Sequence, residues 1–586
     1  MTIYRTLLAK GYLPKELPPS FHSESFAQYA STQAGRAALQ AYRSQHRATE
    51  CVTYTLALPS SDQRILRIPH PSGFANLAAE IARSFRRLLR KAAASSFSRS
   101  RPVFATDARR AIRPRIDPAN LSREKTLNRA ASSYLLRADV SQFYPSLYTH
   151  AVGWAVDPAL RLRANWTKPT FLGKRLDQAL MDMQGKISQG VPIGNDISFL
   201  LAEIVLGQVD RDLRKYKGRA YRWFDDYEIA CDSRQEAETA LLELRQSLGR
   251  FNLRLNPKKI EIVELPIPSS DGWQLTLVEA SRGIQLGHRN MVRFFDTVFH
   301  LRARHPDVPI FTYALGLLFR ISSPTEPVLR VAESCIAQAL LSEPGCAQKA
   351  FALLTFWALN GAPLARTTMT AAVEKVILRH ESTGTSSDVA WALAFCIEQK
   401  LVLAKRAGKA LARFDDDCVA IQSMHAHAAG SLPAGFDTRA VAAELKKAVL
   451  EERHWLALYE GVRHGYLPSL APTVNGRPLF AEMLAKGVSF YRQAVPSYAA
   501  VVHPGGAPHW VVRAWIGGLA AGPLGAPSRP ASAIAPPAGA AVDMIRGDAA
   551  NLATAGVSLD TLLQRMLAKL QPAEGEVPDE TADKYS

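Results

Sequence analysis

Cysteine is scarce in this sequence: six thiols in 586 residues (Cys51, Cys231, Cys335, Cys346, Cys396 and Cys418), with no CxxC spacing. That pattern excludes a disulfide framework or a zinc ribbon and reads as buried thiols in a reducing compartment. Long apolar runs are lacking too. The longest uncharged one, residues 350–365, is interrupted by Asn360 and Pro363 and falls short of the ~20 residues a membrane span needs. The opening residues lack the apolar core and small-residue cleavage site of a secretory signal, so a cytoplasmic protein with no membrane partner is expected. Acid is the third shortage: 53 Asp and Glu stand against 71 Lys and Arg, a net charge of +18. That sign suits a phosphate-rich partner. Core material is plentiful. With 47% hydrophobic and 21% charged residues the chain is not globally disordered, and its length predicts roughly three or four folding units.

Residues 1–50 read as a lead-in, with a Pro-rich turn at 14–19 and a helical stretch over 25–43. Residues 51–132 begin with β-favouring residues alternating around a Pro-Ser-Ser-Asp turn, a hairpin pattern, followed by a helix over 74–91. Basic residues then crowd together: eleven Arg and Lys against the single acid Asp107 over 83–115, with Phe85, Phe97 and Phe104 interleaved. No counter-ion lies within sequence reach, so Arg86, Arg87, Arg99, Arg101, Arg109 and Arg110 are candidate phosphate ligands for RNA or DNA. Over 133–286 strands and helices alternate, an α/β layer. Over 287–516 amphipathic helices follow one another near 290–304, 327–341, 347–359, 368–380, 387–405 and 438–459. Antiparallel helix pairs stacked as a HEAT-like or solenoid-like array would bury their apolar faces. Residues 517–540 are Ala/Gly/Pro-rich and read as a linker, and 541–586 as a last helix with an acidic tail.

Three carboxylates stand out. Asp139 ends the apolar strand in LLRADVSQF, where its side chain can project past a sheet edge. Asp225 and Asp226 lie in YRWFDDYEIA, a hairpin whose turn carries two adjacent acids. Burying like charges side by side is costly unless a divalent cation neutralises them, and oxygen ligands suit Mg²⁺ or Mn²⁺. Two strands delivering carboxylates, with a Gly-containing turn between them, is the arrangement two-metal phosphoryl transfer requires.

The order DVSQFY, SQGVPIG, WFDD, LRLNPKK resembles the palm motifs A to D of reverse transcriptases. Four further phrases, GYLPKELPPSF (11–21), RILRIPHP (64–71), DVSQFYPSLYTH (139–150) and QGVPIGNDISFLLAEI (189–204), are similar to bacterial defence-associated reverse transcriptases of the abortive-infection (Abi) type. The resemblance spans about residues 11–265. It implies an α/β fingers-palm domain followed by a large all-α C-terminal domain, and a DNA polymerase acting in antiphage defence, of a type that can be protein-primed and template-independent. It also implies that Asp139, Asp225 and Asp226 hold two Mg²⁺ or Mn²⁺ ions, and that Tyr144 is the gate against a 2′-hydroxyl, selecting dNTPs. By the same resemblance Gln189 and Gly190 line the incoming nucleotide, and Arg64 or Arg67, backed by Arg101 and Arg110, takes the triphosphate. Lys259 is the group that could protonate the leaving pyrophosphate. Candidate priming hydroxyls are Tyr4, Tyr12, Tyr29, Tyr42 and Tyr585. A homo-oligomer and a non-coding RNA partner are implied as well.

Trp223 and Phe224 depart from the YxDD pattern and are expected to press on the primer terminus or the nucleotide sugar. The alternatives are a catalytically silent scaffold binding RNA or a phage protein, and a templated enzyme using a partner RNA. Three features read as structural: the FDDD run at 414–417 as a helix boundary, His425 and His427 as a surface pair, and Trp510 and Trp515 as packing.

Overall fold

The computed structural model describes residues 2–493 except 61, 106–109, 117–119, 270 and 382–383. Arg109, Trp510, Trp515, Tyr585, the linker and the last helix therefore lie outside the described residues.

The first fifty residues form three helices, Ile3–Lys10, Glu24–Ser31 and Gln33–Gln45. The single helical stretch expected over 25–43 breaks at Thr32, which is extended and whose hydroxyl accepts a hydrogen bond from the Gly35 N–H. A side chain at Gly35 would run into the Tyr29 carbonyl, so the break needs glycine there. The hairpin forms as read: β1 (Cys51–Ala57) pairs antiparallel with β2 (Gln63–Pro69). Pro71 then opens helix Pro71–Arg83, where its missing N–H costs nothing, and the His70 ring accepts from the Ser72 N–H. The helix expected over 74–91 is interrupted at Ser84 and resumes as Phe85–Ala93. Short strands β3 (Pro102–Phe104) and β4 (Ile112–Pro114) pair with each other.

The central sheet is antiparallel, in the order β6 (Ala220–Trp223), β7 (Asp226–Cys231), β5 (Tyr134–Asp139), β8 (Glu261–Glu264). Behind it runs helix Asp196–Asp212, started by Asn195, whose side chain accepts from the Ser198 N–H. That helix is buried over most of its length, which explains its near-continuous apolar sequence.

From Gly272 onward the described chain is helical. Helices Glu326–Ser342 and Arg366–Glu381 pack against each other, as do Ala347–Leu359 and Ser386–Glu398. Each helix thus meets the next but one, in a two-layered stack.

The stack returns to the start of the chain. Phe21 bridges to Tyr491, the His22 N–H donates to the Phe490 carbonyl at 3.0 Å, and Ser25 and Ser489 exchange hydrogen bonds. Tyr12 stacks on Phe74 with ring centres 4.3 Å apart, and Phe490 packs against both Phe26 and Trp455. Ser386 and Ser387 accept from the Thr55 and Ala57 N–H groups of β1. All described residues fall within one compact unit. The boundaries expected at residues 50, 132 and 286 therefore do not part independent cores: apolar faces on both sides of each are shared. No helix among the described residues is long and apolar enough to cross a membrane.

Candidate active site

Register brings the acids together. β5 pairs with β7 so that Asp139 lies opposite Asp226, and Trp223 of β6 pairs with Asp226, leaving Phe224 and Asp225 as a two-residue turn. Phe224 sits in the left-handed region at φ +52°. The Val140 N–H donates to the Asp225 carbonyl at 3.3 Å, tying that turn to the end of β5.

Mutual repulsion marks the cluster. Burial and then the Asp139 charge raise the Asp225 carboxyl, with Lys259 and Arg64 opposing. Asp226 is pushed up to about 7 by burial in the cleft and by Asp225 and Asp139. Its outer edge still meets solvent, so the neighbouring carboxylates are the firmer cause. The Lys259 ammonium reaches Asp139 Oδ2 at 2.7 Å. Burial works against its charge, but the bond to Asp139 and the three carboxylates outweigh that and raise it. Asn256 sets Lys259 in place. Its N–H donates to the Asp139 carbonyl at 2.8 Å and its side chain caps the turn Pro257–Lys259.

The described residues contain no cluster of three or more His, Cys, Asp or Glu side chains gathered tightly enough to hold a metal ion. The donor set nevertheless fits hard divalent cations: three carboxylates side by side, two of them unfavourable as anions, with an ammonium already drawn in.

Tyr144 stands on the short helix Phe143–Ser146, its hydroxyl held well above its ordinary range by burial and then by the Glu203 and Asp225 charges. The 188–191 turn packs along the same stretch. Tyr148 bridges to Gln189, the Thr149 N–H donates to the Ser188 carbonyl, and the Val191 N–H donates to the Tyr144 carbonyl. Gly190 has φ +83°, and a Cβ there would come within 3.1 Å of the Pro145 carbonyl, so any other residue would be strained there. Gln189 is exposed.

The hairpin discriminates between its arginines, because residues three apart on a strand face opposite sides. Arg64 is exposed and acts electrostatically on Asp225 and Tyr144. Arg67 is half-buried, with its N–H donating to the Ile193 carbonyl and its charge acting on Cys51.

Several expectations need correction. The basic stretch does have counter-ions, supplied by the fold from afar. Arg87 pairs with Asp157, Arg99 with Glu124 at 3.0 Å, and Arg110 with Asp196 while also donating to the Leu13 and Gly194 carbonyls. Arg101 is half-buried with its Nε unpartnered, whereas Arg86 is exposed. The hydroxyls of Tyr12, Tyr29 and Tyr42 are unsuited to priming because these rings are core. Tyr12 bonds the Pro69 carbonyl and Tyr42 the Glu451 carboxylate, and burial pushes all three phenols up. Tyr4 is half-buried, its phenol pushed up to about 12 by burial. Phe224 packs its ring against Phe199 and Trp223, with ring centres 5.4 and 4.9 Å apart. Asp416 caps helix Asp417–Ala428, in keeping with the helix-boundary reading. His425 is buried against the Tyr491 hydroxyl, not on the surface.

One set of residues escaped the sequence reading. Arg222, fully buried beneath the turn, forks between Glu203 (2.9 Å) and Asp210 (2.8 Å) of helix Asp196–Asp212. The available signal was two acids seven residues apart, hence on one face, in a largely apolar helix.

Residues 85–292 match the family Reverse transcriptase (RNA-dependent DNA polymerase). Among solved structures, a Candida albicans telomerase in complex with a fragment of telomeric RNA is similar at 10% identity, over 63% of this chain and 69% of that one, with a TM-score of 0.26. An apo telomerase from Candida tropicalis is similar at 11% identity, over 64% and 71%, with a TM-score of 0.27. No curated protein matches this chain. Over residues 85–292 the chain carries a reverse transcriptase domain, which makes it an RNA-directed DNA polymerase.

Proposed function

We propose that the chain adds deoxynucleotides to a hydroxyl primer at the Asp139–Asp225–Asp226 cluster. The observation that carries this reading is the register that sets Asp139 opposite Asp226 with Asp225 in the adjoining turn. Those three carboxylates would hold two Mg²⁺ or Mn²⁺ ions, which when bound lower the pKa of the primer hydroxyl and offset charge on the pyrophosphate. The chain's own groups do the rest. Arg64 reaches from the hairpin toward the triphosphate. Lys259, held beside the cluster by Asp139, would donate a proton to the departing pyrophosphate oxygen. The Tyr144 ring closes the space a 2′-hydroxyl would need, and Gln189 with the Gly190 backbone lines the nucleotide.

We place this activity in antiphage defence, with synthesis started on a protein hydroxyl. The support is the likeness of the 11–21 and 64–71 phrases to the Abi type. Tyr4 and Tyr585 are the priming candidates that remain. The helical stack is proposed to assemble the protein into a homo-oligomer and to engage RNA, because extended helical arrays offer large binding surfaces.

The test is incubation of purified protein with each labelled dNTP or rNTP and Mg²⁺ or Mn²⁺, with and without primed RNA template, read on a denaturing gel before and after protease. DNA products lost on chelation are expected, and protease should shift them if the primer is protein. No dNTP incorporation under any of these conditions would overturn the reading.

A further inference from the structure

The guanidinium of Arg222 has five N–H donors, and all are engaged in a site with no solvent access. Nε and Nη2 reach Asp210, Nη1 and Nη2 reach Glu203, and Nη1 also donates to the Phe224 carbonyl at 2.6 Å. The two carboxylates are shared further. Ser98 and Ser100 each donate to Glu203 at 2.8 Å, Ser95 donates to Asp210 at 2.5 Å, and the Tyr227 hydroxyl donates to Asp210 at 2.9 Å.

This network closes on the catalytic turn from both sides. While Arg222 holds the Phe224 carbonyl, the Phe224 N–H donates to Ser100 Oγ at 2.9 Å. Both backbone polar groups of the one left-handed residue in the turn are thereby fixed, and Asp225 is the next residue. The serines come from residues 95–100, which lie along β6: the Arg222 N–H donates to the Phe97 carbonyl and the Arg99 N–H to the Arg222 carbonyl.

Simple stabilisation does not account for this expenditure of polar groups. Buried ion pairs are often no better for stability than apolar packing of the same volume. What they supply is direction, and a lysine could not reproduce it, because one ammonium cannot fork to two carboxylates and a carbonyl.

We propose that Arg222, Glu203, Asp210 and Ser100 form a positioning element that fixes the Phe224 peptide, and through it the place from which the Asp225 carboxylate meets divalent cations. All four side chains are buried, so they act on the cluster through the Phe224 peptide. The inference rests on the polymerase reading of the carboxylate cluster and deepens it.

The decisive variant is Ser100→Ala, which removes the acceptor of the Phe224 N–H together with one of the two serine donors to Glu203, and leaves all three charges intact. Glu203→Gln is its companion, breaking the Arg222 pairing while leaving the Ser100 bond to Phe224. Mn²⁺ binding to the full chain is measured by calorimetry, beside unfolding midpoints and single-nucleotide turnover. With Ser100→Ala folded as wild type, its Mn²⁺ affinity and its kcat should each fall by about tenfold, with KM for dNTP moving less. A merely structural serine would shift the midpoint without moving Mn²⁺ affinity or separating kcat from KM. If wild type binds Mn²⁺ and folded Ser100→Ala binds and turns over equally well, the positioning role is overturned. If wild type itself binds no Mn²⁺, the reading of the carboxylate cluster fails instead.

Discussion

Asp226→Asn should stabilise the cation-free protein at the expense of its chemistry. In the fold the Asp226 carboxyl sits at about 7 against an ordinary 3.8, because burial and two neighbouring carboxylates disfavour its charge. A shift of that size corresponds to roughly 4 kcal/mol at 1.36 kcal/mol per unit. Solvent at the exposed edge of the residue screens the repulsion, so about half, ~2 kcal/mol, is the working figure. The penalty is absent below the unfolded value near 3.8 and grows as the pH rises. It is complete above about 7, because across that interval the folded chain keeps a proton the unfolded chain has released. With unfolding entropy of about 2.1 cal/mol/K per residue over roughly 490 residues, ~2 kcal/mol is a rise of about 2 °C in Tm. The assay is scanning calorimetry in chelator at pH 8 and pH 5.5. The variant should melt higher at pH 8, by about half as much at pH 5.5, and Mn²⁺ should stabilise wild type more than the variant. An Asp226→Asn protein that melts at or below wild type at pH 8 would refute the claim that the cluster is electrostatically strained.

Three further outcomes follow from the geometry. Tyr144→Val should admit ribonucleotides, read as a fall in the dNTP/rNTP ratio of incorporation; an unchanged ratio removes Tyr144 from the gate. Arg64→Ala should raise KM for dNTP by about tenfold, the worth of a charge-assisted hydrogen bond, whereas Arg67→Ala should not; the reverse pattern would mean the hairpin is oriented the other way in the working enzyme. A chain cut after Leu286 should lose its near-ultraviolet dichroism and aggregate, since Tyr12, Phe26 and Tyr42 would be stripped of Phe480 and Phe490. A cooperative melt of that fragment would contradict the shared core.

What was legible in the sequence was local. Alternation around Pro-Ser-Ser-Asp specifies β1–β2, and helix Ala347–Leu359 matches its sequence reading residue for residue. Asp139, Asp225 and Gly190 stand out because carboxylates in apolar strands and a glycine in a tight turn are costly without a reason. What was hidden depends on residues far apart in the chain. Arg87 finds Asp157 and Arg110 finds Asp196, so a segment that reads as uncompensated positive charge is partly neutralised by tertiary pairing. Tyr12, Tyr29 and Tyr42 carry the same side chain whether exposed or buried, and only the return of Phe490 and Glu451 to the start of the chain decides. Arg222 is the sharpest case: an arginine between two aromatic residues reads as surface, yet it is among the most deeply buried side chains.

The most direct test of the account is single-nucleotide dNTP incorporation by Asp139→Asn and Asp225→Asn, each folded as judged by its melt, at saturating Mg²⁺ or Mn²⁺. Loss of charge at either position should lower the rate by roughly a hundred- to a thousandfold, the scale of removing a preorganised electrostatic group. If either protein incorporates dNTP at the wild-type rate, the chemistry does not take place at this cluster.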